Sequence, residues 1–363
     1  MRTVAKAQVG GANVLEVKMT DLAGFVPTLG VGAVSLNVTV TNPRDAGFVT
    51  VYPCGVRDLV ASVNYLAGQT VSNAVIAPVS TTGTVCFFSN VPADIVVDIN
   101  GWMAGGRGFT GISQKRIFDT LPGNSPDALL TVQKTPITGG TAVQVHVTGV
   151  AGVPSGVGAV SLSVGATNSV AGGFITVYPC GARDLVSSVN FAAGETVSNA
   201  VIATVSADGN VCFYSLATAD LVVDINGWFS ATSDFTGVTP TRVFDTRAGE
   251  SPDAVRTVAK AKIGGAVTIE VKMTDLVGRV PVTGVSAVSL NVAVANPAAA
   301  GFVTVYPCSA LNLVASLNYA AGQTVSNAVV VPVSATGTVC FYSMVPTDIV
   351  VDLNGWFSTR ATF

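Results

Sequence analysis

The residues of this chain whose types and spacing could do chemistry are few, and they recur. Asp94 and Asp98, Asp220 and Asp224, and Asp348 and Asp352 are carboxylates four residues apart, a pattern that could serve glycoside hydrolysis or oxygen ligation of calcium. On a strand such residues share a face but stand about 13 Å from each other, too far for a retaining pair or a single ion. The expected role is structural: Asp98, Asp224 and Asp352 accept hydrogen bonds from turn amides or pair with the arginine of an Arg-x-Phe-Asp-Thr segment, since buried carboxylates require such partners. His146 is the only histidine, and it aligns with Lys18 and Lys272, so it is expected at the surface. General-base, triad and zinc chemistries thereby lose their usual side chain. Glycine-rich stretches lack the Gly-x-Gly-x-x-Gly spacing into a helix, so no phosphate cradle is expected. The chain is expected to be no enzyme and to hold no cofactor or metal.

Six cysteines form three pairs, Cys54 with Cys86, Cys180 with Cys212 and Cys308 with Cys340, each 32 residues apart. An even count at fixed spacing reads as one disulfide per pair and an oxidising, extracytoplasmic setting. Loop closure would make each worth about 3 to 4 kcal/mol. No Cys-x-x-Cys or nearby histidine completes a metal site. Trp102, Trp228 and Trp356 each follow Asn-Gly; they are the candidate ligand-binding residues, because an aromatic ring at a sheet edge can stack on a sugar, although packing is the commoner use of tryptophan. Arg57-Asp58 and Arg183-Asp184 become Leu311-Asn312, so a site built on that pair would be missing from one third of the chain.

Eighteen basic against 21 acidic residues give a net charge of −3, which removes the electrostatic basis for binding nucleic acid or anionic lipid. At 49% hydrophobic and 11% charged residues the chain is too apolar for disorder. Its apolar runs are short, irregular and interrupted, so neither a membrane-spanning helix nor a membrane barrel is expected. The Met1–Lys6 start has charge but no apolar run after it, so any secretion signal is expected to have been removed or never to have belonged to this chain.

The elements that must position these residues are set by an internal repeat. Gly47-Phe48-Val49-Thr50-Val51-Tyr52-Pro53-Cys54 returns from Gly173 and again from Gly301, a period of about 126 residues, close to the usual size of a domain. The same offsets link the Thr-Val-Ser-Asn runs ending at Asn73, Asn199 and Asn327 and the triplets at Asn100, Asn226 and Asn354. Val34 to Thr41 alternates apolar with small polar residues, the signature of a strand with one face in a core and one in water. Further short β-branched runs are separated by Asn42-Pro43, Gly68 and Gly83, and no segment carries a capped helical period. The predicted fold is all-β: three tandem antiparallel β-sandwich, jelly-roll-like domains strung like beads at 1–108, 109–234 and 235–363. Phe109-Thr110-Gly111 and Phe235-Thr236-Gly237 open the second and third units and lead to Arg116-Ile117-Phe118-Asp119-Thr120 and Arg242-Val243-Phe244-Asp245-Thr246. The first unit has no counterpart, and Phe363 aligns with Phe235, so either the chain is a fragment of a longer array or another chain supplies the missing strand.

Arg-x-Phe-Asp-Thr-Arg, Leu-Asn-Val-x-Val-x-Asn-Pro, Gly-Phe-Val-Thr-Val-Tyr-Pro-Cys, Asn-Tyr-x-Ala-Gly-Gln-Thr-Val-x-Asn and Asp-Ile-Val-Val-Asp-x-Asn-Gly-Trp-Phe, taken together, resemble a repeat common in secreted and cell-surface proteins of actinobacteria. The resemblance covers essentially the whole chain and implies an exported, non-catalytic accessory or surface role. Departures are Leu121 where the final arginine is expected, Ser163 in place of Asn37 and Asn291, and the absent opening of the first unit. The leading expectation is an extracellular structural or adhesive array that assembles with itself head to tail by strand addition. The alternative is an array of carbohydrate-binding modules for cell-wall or environmental polysaccharide, with the three tryptophans exposed.

Overall fold

In the computed structural model, the residues described are all except 1–3, 5, 6, 12, 56, 58, 59, 107, 124, 126, 127, 184, 185, 310, 312, 361 and 362. Asp58, Asp184, Asn312 and Met1 therefore lie outside the described residues. The β-branched runs form strands, and the described residues contain no helix. The first repeat holds β1 (Val14–Lys18), β2 (Val31–Thr41), β3 (Gly47–Pro53), β4 (Val63–Tyr65), β5 (Val71–Pro78), β6 (Thr84–Ser89) and β7 (Asp94–Ala104). The second holds β8 (Phe109–Asp119), β9 (Thr141–His146), β10 (Val157–Thr167), β11 (Gly173–Pro179), β12 (Val189–Phe191), β13 (Val197–Thr204), β14 (Asn210–Ser215) and β15 (Asp220–Ser230). The third holds β16 (Phe235–Asp245), β17 (Val267–Lys272), β18 (Val285–Ala295), β19 (Gly301–Pro307), β20 (Leu317–Tyr319), β21 (Val325–Pro332), β22 (Thr338–Ser343) and β23 (Asp348–Ser358).

Each repeat forms two antiparallel sheets. In the second they run β13-β10-β15-β8 and β12-β11-β14-β9, and in the third β16-β23-β18-β21 and β17-β22-β19-β20. The first has β1-β6-β3-β4 but only β5-β2-β7, one strand short. One apolar cluster per repeat draws from both of its sheets, with Phe87, Phe213 and Phe341 fully buried. The register between β2 and β7 passes from Ser35 opposite Gly101 to Leu36 opposite Ile99, so Asn100 is the extra residue of a β-bulge, and Asn226 and Asn354 repeat it. A bulge at that point turns the strand end, which explains the Asn-Gly-Trp triplet.

The repeats are not beads in a row. The Ala200 N–H donates to Asn73 Oδ1 at 3.1 Å, the Ala328 N–H to Asn199 Oδ1 at 2.9 Å, and the Ala74 N–H to Asn327 Oδ1 at 2.9 Å. The first repeat thus meets the second, the second the third, and the third the first, closing the six small sheets into a propeller-like ring. A fourth apolar cluster, which includes Met103, Phe109, Phe229, Phe235 and Phe357, belongs to all three repeats at once. The closure also corrects the reading of the alternating strands. Val34, Leu36 and Val38 are fully buried, but Ser35, Asn37 and Thr39 are buried too, because a neighbouring repeat rather than water covers the polar face. Asn37 Nδ2 donates to the Ala315 carbonyl at 2.7 Å and Asn291 Nδ2 to that of Ser187 at 2.6 Å. At the third joint Ser163 manages only a 3.3 Å bond to the Ala61 carbonyl.

Candidate functional site

The Arg-x-Phe-Asp-Thr segment is the outermost strand of a sheet, β8 against β15 and β16 against β23. Arg116 Nε donates to Asp224 Oδ1 at 2.5 Å, and Arg242 Nε donates to Asp352 Oδ1. Burial pushes both aspartates above the ordinary carboxylate value, against the pull of their arginines. Phe118 meets Phe213 edge-on at 5.3 Å, and Phe244 meets Phe341 at 5.1 Å. Thr120 Oγ1 donates to Asp220 at 2.7 Å and accepts the Leu221 N–H; Thr246 does the same with Asp348 and Ile349. The expected pairing of the aspartates with this arginine is therefore seen in two repeats.

In the first repeat β7 has β2 on one side and, among the described residues, no strand on the other. Val96 is 49% exposed where its counterpart Val350 is 5% exposed. Asp98 is half-buried and has no ion-pair partner among the described residues. Burial raises its carboxyl above the ordinary 3.8. The groove is already occupied at one end. A Cβ on Gly101 would meet Phe363 Cδ1 at 2.3 Å, as one on Gly227 would meet Phe109 Cζ at 2.7 Å and one on Gly355 Phe235 Cζ at 2.4 Å. Phe363 also stacks on Phe357 at 4.5 Å, extending the series in which Phe109, Phe229, Phe235 and Phe357 pack successively at 4.7 to 4.9 Å. Glycine is required at residue 101 by this approach of a ring to the strand backbone.

The other predicted site residues are dispersed. Disulfides join Cys54 to Cys86, Cys180 to Cys212 and Cys308 to Cys340, each tying the end of one strand to its neighbour. Glu16 and Glu270 lie beside the first and third, but these sulfurs are bonded to each other and offer no thiolate to a metal. Trp102, Trp228 and Trp356 are half-buried and pack against the three repeat cores. The indole N–H groups of Trp102 and Trp356 are enclosed without a hydrogen-bond partner among the described residues. Asp94, Asp220 and Asp348 each accept from an asparagine at positive φ, Asn42, Asn168 and Asn296. His146 is exposed, between Asn210 and Thr148. Arg57 lies 3.6 Å over the Phe88 ring and Arg183 3.6 Å over Tyr214, a stacking that Leu311 cannot repeat. Two cavities stand out: one of about 430 Å³ beside the shared aromatic cluster, reached past Leu29 and Trp102, and one of about 240 Å³ lined by Asn64, Arg116, Ser163 and Asp224.

No protein-family model matches this chain, and no curated protein does. Among solved structures, it is similar to one described as the triple jelly-roll fold and turret assembly of an archaeal virus. That match has 10% identity and a TM-score of 0.23, and covers 97% of this chain and 85% of the other. An atomic structure of Sulfolobus turreted icosahedral virus matches at 10% identity and a TM-score of 0.22, covering 97% of this chain and 86% of the other. Likenesses this weak carry no argument about fold or function.

Proposed function

We propose that this is a non-catalytic structural or adhesive protein of the extracellular cell surface, that each repeat is a jelly-roll-like sandwich, and that the open edge of β7 is its point of assembly. The observation that carries the reading is the contrast between β7, with one free edge, and β15 and β23, which are paired on both sides. An unpaired edge presents a row of backbone donors and acceptors and is a template for strand addition. Three disulfides agree with an oxidising setting, and no helix among the described residues is long and apolar enough to cross a membrane. The apolar clusters that draw on both sheets of a repeat support the sandwich reading. The polysaccharide reading has less support, since its tryptophans are half-buried against the cores.

Sedimentation velocity with negative-stain microscopy across a concentration series, on the non-reduced protein and on Val96→Lys, tests the proposal. Concentration-dependent assembly that the lysine abolishes is expected. A protein that stays monomeric throughout would overturn self-assembly, and assembly indifferent to Val96→Lys would overturn the β7 edge as its point.

A further inference from the structure

The position of Phe363 says more about the edge than that it is open. In the paired repeats the added strand starts with a phenylalanine against the glycine of Asn-Gly-Trp, Phe109 at Gly227 and Phe235 at Gly355. Phe363 fills that place at Gly101. The register then fixes what belongs further along. Arg116 stands opposite Asp224 and Phe118 opposite Val223, while Arg242 stands opposite Asp352 and Phe244 opposite Val351. Transferred to β7 through its common pairing with β2, β10 and β18, those places are Asp98 and Val97. Asp98 has no cation among the described residues, and Val97 is only half-buried where Val223 and Val351 are fully buried. The groove is thus complementary in charge and in apolar surface to one particular strand.

The geometry points to β7 as a docking site for a strand of the class Phe-Thr-Gly-x4-Arg-x-Phe-Asp-Thr, the opening strand of one further repeat, running on from the place of Phe363 and setting its arginine on Asp98. This rests on the reading of β7 as the point of assembly and names the partner. In this chain the two strands of the class, β8 and β16, are engaged with β15 and β23, so a second copy docks through one of them only by releasing it from its own sheet. The strand makes two kinds of contact. Backbone hydrogen bonds along β7 hold any extended peptide; the Arg–Asp98 pair and the phenylalanine in the core select this one.

The test uses the full chain and a synthetic peptide with the sequence of residues 236–247, which begins just after the phenylalanine that Phe363 already supplies. Binding is followed by fluorescence anisotropy, with carbon-13 NMR of the Asp98 carboxyl. Saturable binding is expected, with the Asp98 titration moving down. A peptide carrying Arg242→Gln should bind about tenfold more weakly or worse, because a charge is left buried without its partner. Against Asp98→Asn the two peptides should differ much less, which isolates the pair from general loss of fold. Equal binding of both peptides to the parent would overturn the strand class while keeping an open edge. Absence of peptide binding in a chain that still assembles through β7 would mean that a segment of another class occupies the edge, and would overturn the inference alone. Absence of both would overturn the inference and the assembly reading together.

Discussion

The Ala74 N–H donates to Asn327 Oδ1 at 2.9 Å across 253 residues of sequence, one of the bonds that make a ring of what would otherwise be a string. Asn327 Nδ2 meanwhile donates to Asn37 Oδ1 at 3.0 Å and to the Ser316 carbonyl at 2.7 Å. One fully buried side chain therefore satisfies three groups in two repeats.

Asn327→Ala is expected to leave a backbone N–H and two acceptors short of a partner in a buried joint and to cost about 1 to 3 kcal/mol or more. Urea unfolding measures it. Among the described residues Asn73 bonds only Ala200 and Ser62, so Asn73→Ala should cost less than Asn327→Ala. An equal or reversed order would show that the joints are not linked as described.

Ser163→Asn should strengthen the joint between the first and second repeats. The asparagines at positions 37 and 291 reach a carbonyl of the adjoining repeat at 2.7 and 2.6 Å, where Ser163 reaches Ala61 at 3.3 Å beside a cavity of about 240 Å³. A gain of about 0.5 to 1.5 kcal/mol in thermal or urea unfolding is expected from the added hydrogen bond. A loss would mean that the cavity cannot take the larger side chain.

Much of this was legible beforehand, and the exceptions have a common cause. Strand positions, the cysteine pairs and the pairing of Asp224 and Asp352 with arginine follow from local alternation, spacing and the need to satisfy a buried carboxylate. The ring was not legible, because Ser35, Asn37 and Thr39 look the same in sequence whether water or a neighbouring repeat covers them. The recurring Asn73, Asn199 and Asn327 were the available signal: an amide kept in the same place of an otherwise apolar strand needs a polar partner. Likewise the missing strand could be counted, but only the place of Phe363 beside Gly101 tells which edge it leaves open.

Breaking the Arg242 pair should be costly. Asp352 is 1% exposed, so Arg242→Ala strands a buried charge and is expected to cost about 3 to 5 kcal/mol. The double variant Arg242→Met with Asp352→Leu should recover most of that loss, since the two charges leave together. Failure of the double variant to recover would assign the cost to lost packing or to Asp245, Ser251 and the Ser187 N–H, which this pair also holds.

Asp98 should act in the opposite sense to a salt-bridged carboxylate. Its carboxyl is raised above 3.8 by burial, so the folded protein holds this proton more tightly than the unfolded chain. The contribution to stability is full below 3.8 and is lost as pH rises through the folded value. Asp98→Asn is therefore expected to flatten the thermal-melt profile above pH 3.8 and to leave the protein at least as stable at neutral pH. A variant less stable than the parent at pH 7 would contradict this, and would indicate that the ionised carboxylate already has a partner.

Closure of the three repeats is the claim on which the open edge, the shared aromatic cluster and the strand site all depend, and small-angle X-ray scattering of the monomer tests it most directly. A compact body of 363 residues has a radius of gyration of about 21 Å. The ring predicts a value close to that, with a symmetric pair-distance distribution. Three units in a row would give a value on the order of 30 Å with a long tail, and that result would contradict the account.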